Sequence, residues 1–457
     1  MIKKIHITFL LLIILILTVY LNRSYISRNI MKYEYRVFLK KILLPIQIKE
    51  QKRMLSDSSK RINRIRNKYI EQTFPLIVKS KSTESFFGNN NILLNKFDLS
   101  ALDIFGPRAY LTQSNKYIYL GYGDKAIFRF IKPDINSPIK EINLEVVRSN
   151  LYDSSKKTHN SFFDKSSIKN ILATNEHLYV SEVYKEKPYC FKNRIVYGKI
   201  NEKPIDFKTF YEIPECQPQL TLQTGGNIEN YGDSILLTIG DHDSYIRDFG
   251  NKNPQNPDSV IGKIISINKK NKEINIISMG HRNPQGLYYD ETNDIIYSTE
   301  HGPEGGDEIN INNLQLSNEN KIKNFGWGIA SYGEHYGGKI DYNKRNYEMA
   351  PLKKSHSDYG FIEPFKYFTP SIGITSIIKL DNFFKKGANK NLIIGAMGND
   401  PEVGNSLYKI ELVEGMAGKV SRLEGTGRVR DIIISKKDSV IYFYSETASV
   451  FYMLQAK

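Results

Sequence analysis

From residue 81 to the C-terminus the chain is written in short strand-like runs separated by Asn, Asp, Gly and Lys. Tyr117–Leu120, the turn residues Gly121 to Asp124, and Ala126–Phe130 read as two strands and a tight connection. The unit recurs as Ile171–Ala173 with Leu178–Val180, Ile228 with Ile235–Ile239, Leu287–Tyr289 with Ile295–Tyr297, and Ile432–Ile434 with Val440–Tyr444. Thirty Tyr and 23 Phe beside a single Trp suit pleated surfaces, where aromatic side chains pack well. An all-β texture over 377 residues without helical periodicity favours closure by radial repetition over a simple sandwich. The units lie unevenly, about 50–90 residues apart, so insertions or unrecognised strands lie between them and repetition alone leaves five to seven blades open.

The N-terminal part differs. Lys3 and Lys4 precede an apolar run, Ile5–Leu21, with no small-residue cleavage site after it, which predicts an uncleaved signal anchor or transmembrane helix over 1–22. Residues 23–80 read as a basic, helical juxtamembrane arm, suited to anionic headgroups or to a solvated stalk. Residues 1–80 hold 17 Lys/Arg against 4 Asp/Glu, whereas residues 81–457 hold 47 against 45, so nearly all of the net charge of +15 belongs to the arm. The domain itself is close to neutral and carries no zinc-finger or RRM-like motif, which argues against a nucleic-acid partner. Basic residues just after the apolar run favour retaining the rest in the cytoplasm. Cys190 and Cys216, the two cysteines, can close one disulfide in an oxidising compartment or stand as separate buried thiols.

The stretch richest in chemistry begins at Gly280. Gly280-His281-Arg282-Asn283-Pro284-Gln285-Gly286-Leu287 is followed by Glu300-His301-Gly302-Pro303-Glu304-Gly305-Gly306-Asp307-Glu308-Ile309-Asn310, and then by Asn324-Phe325-Gly326-Trp327. An Arg-Asn pair before a proline turn offers a cationic fork and an amide to a planar carboxylate. A Gly-Pro turn can aim successive carbonyls at a hard cation, with Asp307 and Glu308 supplying anionic oxygens. The alternative reading is a set of blade-connecting turns whose charges pair with one another.

This run resembles the core of the soluble PQQ-dependent glucose and sorbosone (aldose sugar) dehydrogenases, six-bladed β-propellers that use pyrroloquinoline quinone (PQQ) and calcium. Thr238-Ile239-Gly240-Asp241, Gly262-Lys263-Ile264-Ile265 and Arg428-Val429-Arg430-Asp431 extend the resemblance over about residues 220–445. It implies an all-β, six-bladed propeller over 81–457. By the same resemblance, Arg282, Asn283, Arg428 and Arg430 contact the cofactor, and the carbonyls of Gly302 and Pro303 hold the calcium. Glu308 becomes a ligand of a structural calcium.

Three departures accompany it. The family's general-base His lies in a His-x-Gly-Gly element, where this chain reads Gln223-Thr224-Gly225-Gly226. A glutamine amide does not take a proton near neutral pH as an imidazole does. The early Gln-x-Gly-Leu-Leu-Gly element is not visible between Lys140 and Val180, and a quinone-contacting Lys is replaced at Gly398. His242 and His301 are the candidate substitute bases. Two functions follow: oxidation of a sugar or polyol hydroxyl on a membrane-tethered propeller, exported to the periplasm from an inner-membrane anchor; or a catalytically inactive, calcium-containing propeller that binds a glycan, an anionic ligand or a protein.

Overall fold

The computed structural model describes residues 74–457 apart from 87–88, 106–107, 135–138, 140, 152–167, 219–221, 244–252, 317–321, 338–339, 382–389, 401, 448 and 457. The strands form six antiparallel blades, each with four core strands. Blade 1 is Ala109–Gln113, Tyr117–Tyr122, Ile127–Ile131 and Glu141–Val146; blade 2 is Ile168–Ala173, His177–Lys187, Cys190–Lys199 and Lys208–Glu212. Blade 3 is Gly225–Tyr231, Ser234–Ile239, Lys263–Asn268 and Ile274–Met279; blade 4 is Pro284–Asp290, Ile295–Glu300, Asp307–Asn313 and Lys366–Phe368. Blade 5 is Ile374–Leu380, Asn391–Ala396, Ser406–Val413 and Met416–Leu423. Blade 6 takes Val429–Ser435, Val440–Ser445 and Val450–Ala456 from the C-terminus and Asn89–Asp98 from the other end of the domain.

That last pairing closes the ring. Ile92 faces Ala456 and Asp98 faces Val450 in unbroken register, so the propeller has no free edge between its first and last blades. Phe74–Phe86 then bridges Asn89–Asp98 to the outer strand of blade 1.

Burial explains which strands the sequence shows most clearly. Inner and middle strands have both faces covered by neighbouring blades and read as continuous apolar runs: Ile374–Leu380 and Val440–Ser445 are buried throughout. Outer strands meet solvent and alternate, as in Glu141–Val146, or carry no buried residue, as in Met416–Leu423. Each fully buried Leu or Ile between blades, such as Leu392, Ile393 and Ile394, contributes about 1.5–3 kcal/mol.

Short polar side chains stitch each blade to the next. Asp431 Oδ2 accepts the Leu111 amide at 2.7 Å, and Thr112 Oγ1 accepts the Ala173 amide at 2.8 Å. Asn193 Nδ2 donates to the Thr224 carbonyl at 2.8 Å, and Asn227 Nδ2 to the Gln285 carbonyl at 2.8 Å. Thr299 donates to the Thr375 carbonyl, and Thr375 to the Val429 carbonyl at 2.8 Å. All six blade interfaces thus carry a buried or partly buried polar tie that fixes register where apolar packing alone is non-directional.

The signal-anchor reading and most of the arm reading fall outside the described residues. Among the described residues no helix is long and apolar enough to cross a membrane.

Candidate functional site

The site residues meet where the inner strands begin. Arg282 and Asn283 precede the inner strand of blade 4, Gln223 and Thr224 that of blade 3, Arg428 that of blade 6, and Arg108 that of blade 1. An axial cavity of about 810 Å³ lies toward the other ends of these strands, lined by Gln113, Ala173, Asn230, Tyr289, Ile378 and Ile434 among others. The cluster of sequence-predicted residues is therefore not in that cavity.

Arg282 is buried and held on every side. Its amide donates to Glu300 Oε2 at 2.9 Å and its carbonyl accepts the Asp241 amide at 2.8 Å. Its Nη1 donates to the carbonyls of His301 and Gly302 at 2.9 and 2.6 Å, and the guanidinium lies 5.2 Å from the Trp327 ring. Asn283 Oδ1 accepts the Gly225 amide at 3.2 Å and Gln285 Nε2 at 2.9 Å, so this amide fixes the turn after Gln223.

The late arginines converge from blade 6. Arg430 Nε lies 2.5 Å from Glu446 Oε1, and Arg428 Nε 3.5 Å from Glu446 Oε2. Arg428 also donates to the Met397 carbonyl and to Asn399 Oδ1. Burial raises the cost of ionising Glu446, but Arg430, Arg108 and Arg428 outweigh it and hold the carboxyl below its usual range. Burial, then the Arg430 charge, lower Arg108. Burial first, then Arg282, Arg430 and Arg428, lower the partly buried His301 against the opposing pull of Asp307. Arg282, Arg428 and Arg430 thus lie within electrostatic reach of the same side chain.

Arg108 and Glu446 escaped sequence reasoning, since a lone Arg after Gly106-Pro107 and a Glu in a Ser-Glu-Thr turn carry no spacing signal. Gly398 is a built-in departure. A Cβ there would meet the Ile372 carbonyl oxygen at 2.7 Å and Gly404 Cα at 3.3 Å, so the backbone leaves no room for a side chain at this position.

Gln223 and His242 are neighbours, but in a bracing arrangement. The Gln223 carbonyl accepts the His242 amide at 2.9 Å, and His242 adopts a left-handed φ of 53°. His242 is buried, and its Nε2 lies 2.9 Å from Asn193 Oδ1, an acceptor, so Nε2 carries the proton. Asn193 holds Thr224 through its other amide atom. Upstream, Cys190 and Cys216 form a disulfide, and Phe191 and Gln217 exchange backbone hydrogen bonds, which straps the segment leading to Gln223 onto blade 2. Asp241 accepts Trp327 Nε1 at 2.7 Å, and its pKa is pushed up to about 7, mainly by burial.

Two places suit a cation differently. Gly302 and Pro303 present carbonyls on one turn, but the Gly302 oxygen already takes Arg282, and two protein oxygens are too few for calcium unless a ligand completes the shell. Asp307 is not available: its oxygens accept the amides of Gly302, Gly373 and Ile374. Glu308 lies apart, beside Glu300, Asn310 and His356, whose Nε2 is 3.7 Å away. Burial first, then the Glu300 charge, push Glu308 well above the carboxylate range. Burial also opposes ionisation of Glu300, but His281 at 3.6 Å brings it below that range. Asn310 Oδ1 is buried without a hydrogen-bond donor. Asn310 turns its Nδ2 donor to both carboxyls and its Oδ1 away from them, so the two adjoining carboxyls are the anionic oxygens this place offers a hard cation.

The family model for glucose/sorbosone dehydrogenase matches residues 166–451. The chain belongs to the glucose/sorbosone dehydrogenase family. An uncharacterized protein of Synechocystis sp. is 29% identical over 196 residues, 37% of this chain and 42% of that protein. Aldose sugar dehydrogenase YliI of Escherichia coli is 26% identical over 275 residues, 55% of this chain and 66% of that one. The matches thus span less than two thirds of either relative. The soluble aldose sugar dehydrogenase structure from Escherichia coli superposes with a TM-score of 0.54 at 17% identity, covering 80% of this chain and all of that one, which shows the shared fold.

Proposed function

We propose that this family member oxidises a hydroxyl of a sugar or polyol with PQQ and calcium. What supports the reading is that Arg282 sits on the Gly302 carbonyl, Arg428, Arg430 and Arg108 act together on Glu446, and Arg282, Arg428 and Arg430 all act on His301. A tricarboxylate quinone would be held by these cations, with the Asn283 amide at its edge. The bound quinone would supply the hydride acceptor, and calcium on Gly302 and Pro303 would polarise it. Glu308, with Glu300, would hold the structural calcium. The chain's own contribution is electrostatic: buried cations whose geometry is set by Glu446, Glu300 and the Gly302 carbonyl before any ligand arrives.

Proton removal is the weak point of this chemistry. Gln223 stands in the base position, and His242 presents a protonated Nε2 to Asn193. These two observations favour a second reading, a propeller that retains the anion site and binds a glycan, an anionic ligand or a protein without turnover.

One titration separates the two. The full chain is mixed with PQQ and calcium, and quinone absorbance and dye reduction with several aldoses are followed. Binding with turnover supports oxidation; tight binding without turnover leaves the second reading; no binding assigns the arginines to another ligand. We also propose an inner-membrane anchor at residues 1–22 with the propeller in the periplasm, a placement that agrees with the Cys190–Cys216 disulfide. Trapping both cysteines as free thiols in fresh cells would overturn it.

A further inference from the structure

The connection between the third and fourth strands of blade 4 packs directly on the Gly302–Gly306 turn. Glu304 and Glu334 exchange backbone hydrogen bonds of 2.8 Å, and a Cβ on Gly333 would meet the Gly305 carbonyl oxygen at 2.4 Å. Among the described residues the exposed aromatic side chains are Tyr189, Tyr336, Tyr359 and Tyr367, and three of these four lie on this connection or the strand that ends it.

Tyr367 is held rigidly for an exposed group. Tyr367, 42% exposed, stacks on Tyr332 with centroids 3.8 Å apart and planes 7° from parallel. Tyr332 donates to Glu363 Oε2 at 2.8 Å, and Glu363 Oε1 accepts the amides of His356 and Ser357 at 2.9 and 2.8 Å. Those amides open the short turn that carries Tyr359, so one carboxylate holds both the Tyr332–Tyr367 stack and the backbone under Tyr359, whose ring has Lys353 Nζ 5.8 Å away. Beside them lies the half-exposed Glu334–Lys354 pair, 2.8 Å apart, with a donor and an acceptor of opposite charge.

We propose that Tyr367 and Tyr359 form a ledge for the second and later rings of an oligosaccharide whose terminal ring reaches the Gly302–Pro303 turn. Pre-oriented aromatic faces suit the C–H faces of sugar rings, and neighbouring groups of both signs suit hydroxyls rather than a net charge. The substrate class is then the end of a neutral glycan chain. This assignment rests on the sugar-oxidising reading above.

The test is calorimetric titration of the full chain, without quinone, with glucose, N-acetylglucosamine, maltotriose, cellotriose and chitotriose. At least one trisaccharide should bind about tenfold more tightly than its monosaccharide, a factor corresponding to about 1.4 kcal/mol. Tyr367→Ala should erase that difference and Tyr367→Phe should keep it; if Tyr367→Ala fails to fold, Tyr359→Ala reads the same loss. Trisaccharides that bind no better than monosaccharides, or an alanine variant that folds and keeps the preference, overturn the ledge. Failure of the oxidation reading shows separately, as absence of dye reduction with quinone and calcium while the trisaccharide preference persists.

Discussion

Arg282 Nη1 lies 2.6 Å from the Gly302 carbonyl oxygen, so the cation on this turn is the protein's own side chain. A metal on this turn would share that oxygen, which has two lone pairs, with the guanidinium. Arg282→Gln leaves buried carbonyls without their charged donor, a loss of about 1–3 kcal/mol. Urea unfolding should show that loss, and millimolar calcium should restore more stability to the variant than it adds to the unaltered protein. Equal calcium effects would show that the turn does not take the ion.

Glu446 is the one carboxylate that Arg430, Arg428 and Arg108 share, and it is buried with Arg430. Removing one partner of such a pair strands the other charge, at a cost of about 3–5 kcal/mol. Glu446→Gln should lower the denaturant midpoint accordingly. Pairing it with Arg430→Met should recover part of the loss, because the stranded cation is gone. A double variant no more stable than the single one would place the damage elsewhere.

Asp241 makes stability depend on pH. Its folded-state pKa, pushed up to about 7, exceeds that of an unfolded Asp, near 4. Between these values the folded protein binds a proton that the unfolded chain releases, so this group's contribution falls as pH rises from about 4 to about 7. Relative to Asp241→Asn, the unaltered protein should lose melting temperature across that window and level off above it. Parallel melting curves for the two proteins would refute the assignment.

The disulfide closes a separation of 26 residues that leads into the Gln223 loop. On the loop-entropy account its removal costs about 3 kcal/mol. Cys216→Ser should lower the melting temperature, and quinone affinity should fall with it because the strap on the Gln223–Gly226 turn is lost. A variant that melts lower but binds quinone unchanged would show that the strap does not reach the site.

The parts legible in sequence were those where one physical cause dominates. The strand pairs around Tyr117–Phe130 and Val440–Tyr444 showed because both faces are buried and the runs are continuously apolar. Blade 5 was harder to see: its inner strand Ile374–Leu380 and its partner Asn391–Ala396 are separated by a long polar stretch that looks like no hairpin turn. Asn89–Asp98 closes the ring through a contact spanning most of the domain, which local pattern does not report. Arg282, Asn283, Arg428 and Arg430 were visible through motif order. Arg108 and Glu446 come into relation only through the meeting of blades 1 and 6, and the Asp307 oxygens that the motif offers to a metal hold three backbone amides.

Gln223→His tests the largest gap in the proposed chemistry. The surrounding turn is already shaped: Asn283 holds Gly225, Asn193 holds Thr224, and the Gln223 carbonyl holds His242. A new imidazole would enter next to the turn that Asn283 braces, and a placed general base contributes about 10²–10⁴ in rate. If the fold retains a working quinone site, dye reduction with an aldose in the presence of PQQ and calcium should rise by about two orders of magnitude, with an acidic limb near the imidazole pKa. An unchanged rate, together with quinone affinity equal to that of the unaltered protein, would mean that loss of the base is not what limits turnover, and would favour the binding function over catalysis.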